Sequence, residues 1–323
     1  DLYRERAQQL RDQFDYLVLM YTGGSDSREA LQAFLDNNIH LDEVVTVHPV
    51  KLTEKMPVIA DSNHDNAFLF EYNLTTLPGL QHIHQVSPKT KITIVDMSDD
   101  LLRYFKSDNY FCDRSHVSQF GVHHTIKSNT GLQYMRKASE GRGRVGVIYG
   151  VDKPKITMRN NNLYCYFMDS GRTGAQVQRS TNAVNFEPKM FFSTPEAPLI
   201  HIKQCHMVRR LIERVPRIYQ AFEQNSDASR GHVFTVLEII KRIVYPSWQT
   251  NIFQATKGGY AFTWMEEKDF LNHIEPGMGQ VLDDRRDSFF NKYGALITNR
   301  THTWMRPITS RLYHVGTVKP PQI

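Results

Sequence analysis

Cysteine is scarce in this sequence, with three residues among 323: Cys112, Cys165 and Cys205. So few cysteines exclude a disulfide framework and favour a reducing compartment, so we expect a cytoplasmic protein. Long apolar runs are also missing, and none approaches the roughly 20 residues that a membrane-spanning helix needs. The first residues are charged and helical in pattern, unlike a secretory signal peptide. The sequence therefore predicts no association with a membrane.

Neither sign of charge dominates the composition. The 39 basic and 34 acidic residues give a net charge of +5, and 40% of the residues are apolar. This length and apolar content suit one large domain, or a core domain with a smaller one, around a sizeable core. The small positive excess is compatible with a polyanionic substrate such as a nucleic acid, but it does not identify one.

The most informative stretch is residues 15–37, where an apolar run is followed by a glycine turn and then a helical pattern. The apolar run covers Tyr16 to Tyr21, and the turn reads Thr22-Gly23-Gly24-Ser25-Asp26-Ser27. Adjacent glycines let the backbone approach a ligand closely, and a helix N-terminus favours an anion such as phosphate. The turn is not a Walker loop, because the GxxxxGK[ST] spacing and its lysine are absent. An ordinary strand-to-helix turn explains the two glycines but does not require the Ser-Asp-Ser that follows.

Strand patterns alternate with helical patterns along the first half of the chain. Further strands are predicted at Asp42–Val50, Lys91–Met97 and Arg144–Gly150, which favours an α/β fold with a parallel sheet and right-handed crossovers. Ligands bind at the carboxyl ends of such strands. The glycine turn, His48 and residues 96–98 are therefore expected on one rim of the sheet.

The second half of the chain is less regular. We predict a strand at Asn162–Phe167 and a long helix from Pro198 to Val215, ended by Pro216. The Pro78-Gly79 pair is expected to interrupt helical structure. We place a domain boundary near residue 195, which divides the chain into an α/β domain (1–195) and a mainly helical part (196–323) for a substrate or partner.

The hexamer Thr22–Ser27 resembles the SGGxDS loop of the PP-loop ATP pyrophosphatases, with threonine in place of the first serine. A looser similarity, over about residues 12–210, links the chain to bacteriophage proteins described as phosphoadenosine phosphosulfate reductase-like. It is carried by the segments GVDKPK, MFFSTPEAPLIHIKQCH and, near the end of the chain, SRLYHVG. The resemblance implies a Rossmann-like (HUP-type) sheet, ATP and Mg²⁺ as cofactors, and adenylation of a substrate with release of pyrophosphate.

The resemblance also implies roles for individual residues. Phosphate would be bound by the backbone of Gly23, Gly24 and Ser25 and by the hydroxyls of Thr22 and Ser27. Asp26 and Asp152 are the candidate ligands of Mg²⁺, and Lys153 or Lys155 would neutralise the leaving pyrophosphate. His48 either borders the nucleotide pocket or is a hydrogen-bonded histidine of the rim. Two solvated loop lysines are the alternative interpretation of Lys153 and Lys155.

Three alternatives remain beside adenylation. A sulfonucleotide reductase or sulfur-transfer enzyme would need an ECGLH-like cysteine motif, of which only Cys205-His206 is present. A metal centre at Cys112, His116, His123 and His124 lacks the paired spacing of zinc sites. A non-catalytic module that binds nucleotide or nucleic acid is the third alternative.

The acceptor is expected among nucleic acids, nucleosides and small metabolites, and the oligomeric state is undetermined. Basic residues on the long helix, together with tryptophans, suit a nucleic-acid surface, although a solvated helix face explains the same charges: Arg209, Arg210, Arg214, Arg217, Trp248, Trp264 and Trp304.

Overall fold

The computed structural model describes residues 1–55, 72–107, 121–151, 153–166, 185–224, 240–247, 271–297 and 311–321. A five-stranded, all-parallel sheet flanked by helices forms the centre, in the order β3-β2-β1-β4-β7. Its strands are β1 (Tyr16–Met20), β2 (Glu43–His48), β3 (Lys91–Asp96), β4 (Val145–Tyr149) and β7 (Phe186–Met190). The α/β fold with a parallel, Rossmann-like sheet, predicted from the sequence, is thereby confirmed.

Helices cover both faces of this sheet. They are α1 (Leu2–Gln13), α2 (Ser25–Leu35), α3 (Val50–Lys55), α4 (Leu77–Val86), α5 (Ser98–Phe105), α6 (Gly121–Ser139), α7 (Pro198–Arg214), α8 (Pro216–Gln224) and α9 (Met278–Ile297). A π-helical turn, Tyr72–Thr76, precedes α4, and residues 240–244 and 271–274 are also helical.

Alternation along β1 divides the core into two layers. Leu17 and Leu19 belong to a cluster with residues of α1 and α2, whereas Val18 belongs to a second cluster with residues of α5 and α6. All three side chains are fully buried. Inner strands of a parallel sheet are covered on both faces, which is why β1 is a continuous apolar run.

A second, antiparallel sheet was not predicted. It contains β5 (Lys155–Arg159), β6 (Asn162–Tyr166) and β8 (Tyr313–Thr317) in the order β5-β6-β8. Lys155 is therefore the first residue of a strand, not part of a loop after β4. Because β8 comes from the end of the chain, this sheet joins the two halves of the sequence.

One prediction about proline was wrong and one was confirmed. The Pro78-Gly79 pair lies inside α4, in its first turn, where proline loses no intrahelical hydrogen bond. The long helix from Pro198 does end before Pro216, since α7 stops at Arg214, and Pro216 then begins α8.

Other predictions concern residues that the structure does not describe. Asp152, Cys112, His116 and all three tryptophans lie outside the described residues. The boundary near residue 195 stays a prediction. Within the described residues, no helix combines the length and apolarity needed to cross a membrane.

Candidate phosphate-binding site

The glycine turn between β1 and α2 has a backbone that only glycine adopts easily. Gly23 has φ of 75°, in the left-handed region. A Cβ atom on Gly23 would lie 2.7 Å from Oγ1 and 2.8 Å from the backbone N of Thr76. The Thr76 hydroxyl donates a hydrogen bond to the carbonyl oxygen of Thr22 at 2.7 Å. The π-helical turn before α4 is thus packed against the glycine turn and fixes its position.

The hydroxyls of Thr22 and Ser27 stabilise the turn from inside. Ser27 Oγ accepts a hydrogen bond from the backbone N–H of Thr22 at 3.2 Å and donates one to the carbonyl oxygen of Gly24 at 3.1 Å. The Thr22 hydroxyl lies 3.2 Å from Ser27 Oγ and accepts from the N–H of Gly24 at 3.4 Å. Both hydroxyls therefore have protein partners in this structure.

Ser25 differs from its neighbours. Its hydroxyl is buried and has no hydrogen-bond partner within the described part of the chain, although the residue is only 4% exposed. Ser25 is the first residue of α2, and the preceding Gly24 provides no side-chain cap. The first N–H groups of a helix have no partner inside the helix, and the positive end of its dipole favours an anion. An unpaired hydroxyl at this point suits a phosphate oxygen.

The end of β4 approaches α2 so closely that only glycine fits there. A Cβ atom on Gly150 would lie 2.6 Å from Cα and 2.7 Å from the backbone N of Ser27. These are backbone atoms that cannot rotate away. Gly150 therefore lets the segment after β4 carry Lys153 to the first turn of α2.

Lys153 and Asp26 form an ion pair at this place. Lys153 Nζ lies 3.0 Å from Asp26 Oδ1, and Lys153 is only 3% exposed. The hydroxyl of Tyr245, which is fully buried, donates a second hydrogen bond to the same Asp26 oxygen. Lys155 is also buried, and it pairs with Tyr166 in the second sheet. The structure thus brings Lys153 to the glycine turn, and burial of both lysines does not support the solvated-loop interpretation.

Residues 240–247 pack on α2 next to this ion pair. The Ser247 hydroxyl and backbone N–H both donate to Oε2 of Glu29, one helical turn after Asp26. Burial raises the pKa of Glu29 to about 7, and the two bonds from Ser247 only partly oppose the shift. The Tyr3 hydroxyl of α1 donates to the carbonyl oxygen of Val244 at 2.6 Å and holds the segment from its other side.

Sequence reasoning missed Tyr245, Thr76 and Glu29. Tyr245 lies 219 residues from Asp26, and no local pattern indicates that contact. Gly150 could have been found, because it lies in the GVDKPK segment that was singled out for its lysines. Its role there is steric.

His48 lies at the carboxyl end of β2, as predicted, but it is buried among protein groups. Its ring stacks on Tyr72 with a centroid distance of 4.0 Å, and its Nε2 lies 2.7 Å from the hydroxyl of Thr53. At the end of β3, Asp96 accepts from the backbone N–H of Ser98 at 2.9 Å. The geometry agrees with a hydrogen-bonded histidine of the rim.

Cysteine and metal chemistry receive little support from the described residues. Cys205 is 3% exposed, and the neighbouring Cys165 thiol together with burial raises its pKa, which disfavours the nucleophilic thiolate. Within the described ranges, no group of three or more His, Cys, Asp and Glu side chains converges on a metal position. Asp26 is the one described carboxylate in the glycine turn.

Geometry is the basis for assigning this site, since comparisons with models of protein families and with curated proteins found no match for the chain.

Proposed function

We propose that the chain binds ATP with Mg²⁺ at the glycine turn and adenylates a substrate oxygen, releasing pyrophosphate. The observation that carries this proposal is the buried hydroxyl of Ser25 at the N-terminus of α2, which has no hydrogen-bond partner among the described residues. The turn has no room for a Cβ atom at Gly23, nor does the end of β4 at Gly150, where it packs on α2. The resemblance of Thr22–Ser27 to the PP-loop supplies the reaction class.

Phosphate oxygens would contact the first N–H groups of α2 and the Ser25 hydroxyl. The acceptor oxygen attacks the α-phosphorus, the bond to the bridging oxygen breaks, and pyrophosphate leaves with the added negative charge. A positioned cation stabilises that charge more in the transition state than in the ground state. Lys153 is suited to this task, because its Nζ already lies at the first turn of α2.

Magnesium fits the described residues only in a limited way. Asp26 offers one carboxylate, and Mg²⁺ commonly takes one or two carboxylates while phosphate oxygens and water fill its other positions. Bound Mg²⁺ would neutralise the phosphates and orient them. Asp26 would exchange part of its bonding with Lys153 for the metal, which frees the Lys153 ammonium for the phosphates.

The test separates binding from turnover. Pyrophosphate release would be measured against nucleosides, nucleic acids and amino acids as acceptors, and binding with α,β-methylene ATP, whose α–β linkage cannot be hydrolysed. Lys153→Ala should lower kcat by on the order of 10²-fold and weaken binding much less. Lys51→Ala is the matched control, because Lys51 follows the end of β2 but its side chain is 63% exposed. Wild-type turnover in Lys153→Ala would refute the role of Lys153.

A non-catalytic nucleotide-binding module is the second candidate. This candidate is favoured by the hydrogen bonds that the Asp26 carboxylate already accepts from Lys153 and Tyr245. This candidate predicts tight binding of the ATP analogue without pyrophosphate release for any acceptor. Lys155→Ala, made separately, tests whether the second buried lysine carries the role assigned here to Lys153.

A further inference from the structure

The exposed face of α7 and the start of α8 carry a line of basic residues. Four of them recur at helical spacing along α7 and the fifth lies in the first turn of α8, and all are exposed: Lys203, His206, Arg210, Arg214 and Arg217. The opposite face of α7 is buried in the core, where Val208 and Ile212 are fully covered. We call these five residues the basic stripe. Because one face of α7 repeats a basic residue at nearly every turn, the stripe is a continuous positive surface along this helix.

Among the described residues, no ion pair neutralises the positive charges of the stripe. By contrast, Arg209, which lies beside the stripe, pairs with Glu213 at 3.1 Å. Residues 198–224 contain five lysines and arginines against two glutamates, a net charge of +3 in a chain of +5. Over half of the excess charge is therefore concentrated on this helix pair.

The geometry of the stripe selects a linear polyanion. Residues 203 and 214 are separated by about 16 Å along the helix, at 1.5 Å per residue. A single phosphate group would require cations that converge on one point, whereas these are spread along a line. At about 3.4 Å per nucleotide, the line matches about five phosphates of one nucleic-acid strand. Three of the four permanent cations are arginines, which bind phosphate with two parallel hydrogen bonds.

The stripe is connected to the candidate site through the buried side of α7. The Gln204 amide donates to the Tyr3 hydroxyl at 2.7 Å, and Tyr3 in turn holds Val244. Val244 precedes Tyr245, which bonds to Asp26. The helix that carries the stripe therefore also holds the segment that contacts the glycine turn.

We propose that the basic stripe binds the phosphodiester backbone of a nucleic acid, which makes nucleic acid the substrate class for the adenylation site. The assignment of nucleic acid as the substrate rests on the proposed function, whereas nucleic-acid binding by the stripe does not. Backbone binding without base contacts predicts affinity for many sequences and a strong dependence on salt.

Fluorescence anisotropy with labelled 20-nucleotide DNA and RNA, single-stranded and duplex, tests the binding without ATP. With four cations engaged, log K against log salt should have a slope of about −3.6 for duplex DNA and about −2.8 for single strands. Arg210→Glu combined with Arg214→Glu should weaken binding by at least on the order of tenfold at 50 mM salt. It should also reduce the slope by about two contacts, which is about 1.4 to 1.8.

The matched control is Lys89→Glu combined with Lys137→Glu, which changes the net charge equally at exposed positions away from α7 and α8. The control should bind as the wild type does. Equal weakening in both double variants, or affinity for polyglutamate equal to that for nucleic acid, would overturn the proposal, because either result means unspecific charge attraction. If the double glutamate variant does not fold, Arg210→Ala with Arg214→Ala and the wild-type salt slope decide the question.

Asp26→Ala keeps the two proposals distinguishable. It should bind nucleic acid like the wild type while it loses pyrophosphate release. Loss of nucleic-acid binding in Asp26→Ala, with its fold intact, would assign the binding to the glycine turn and overturn the role of the stripe.

Discussion

Replacing Glu29 by glutamine should remove a pH dependence of stability that arises from one buried carboxyl. Glu29 is only 4% exposed, and its pKa rises from 4.5 to about 7 on burial. Each pKa unit corresponds to about 1.4 kcal/mol of unfolding free energy, so the shift in the pKa of Glu29 corresponds to on the order of 3 kcal/mol. Glutamine keeps an acceptor oxygen for the two bonds from Ser247 but carries no charge.

The sign follows from proton binding. Below pH 4.5 the carboxyl is protonated in both states. Between pH 4.5 and 7 the folded protein retains a proton that the unfolded chain releases, so the stabilisation from Glu29 is progressively lost as pH rises. The advantage of Glu29→Gln over the wild type should therefore grow across this window and level off above pH 7.

Urea unfolding at pH 5, 6, 7 and 8 measures this difference. Glu140→Gln, at an exposed position after α6, is the control for removing a charge alone. A difference between Glu29→Gln and the wild type that stays constant with pH would refute the argument, because it would mean that folding does not shift the titration of this carboxyl.

Three further predictions concern the surroundings of the glycine turn. Tyr245→Phe removes a hydrogen bond to the Asp26 carboxylate and should cost about 1.5–3 kcal/mol of unfolding free energy in urea titrations; an unchanged midpoint would mean that the bond contributes nothing. Gly150→Ala places a Cβ atom against the backbone of α2, so it should cost about 1–3 kcal/mol and abolish binding of α,β-methylene ATP, measured by calorimetry. Cys165→Ala combined with Cys205→Ala should retain pyrophosphate release, and its complete loss in a folded variant would revive the sulfur-transfer alternative.

Strands rich in β-branched residues could be predicted from the sequence, whether they lie inside the sheet or at its edge. The bounds of the fully covered β2 were predicted within two residues, and those of the edge strand β3, which reads KITIVD, within one. Strand β7 reads FEPKM and was missed, because it lies at the sheet edge, where a proline and charged residues are tolerated. The pairing of β6 with β8 was missed for a different reason: their partners, such as Leu163 and Gly316, lie far apart in the chain, and no local periodicity encodes them.

The candidate site shows the same division between local and distant information. The glycine turn follows from adjacent residues, since a strand, two glycines and a helix start suffice to predict it. The electrostatics of the site could not be predicted from adjacent residues, because they depend on which charged side chains come together after folding. From the sequence, Asp26 was expected to bind the metal and Lys153 to bind pyrophosphate, as separate roles. In the structure, the two side chains form an ion pair at 3.0 Å.

The energetic cost of burying a charged side chain explains the ion pair between Asp26 and Lys153. A lysine that is only 3% exposed would be expensive to keep charged without an anion beside it, and Asp26 is the anion that the turn provides. Magnesium with a phosphate offers the same two charges in the opposite arrangement, a cation for Asp26 and an anion for Lys153. Nucleotide binding under the proposed function is thus an exchange of partners between buried charges, and neither charge is left unpaired. Phosphate without metal would satisfy Lys153 but leave Asp26 beside a like charge, so binding of the ATP analogue should depend strongly on Mg²⁺. In Asp26→Asn this dependence should weaken, and an equal dependence in both proteins would show that the metal is held elsewhere.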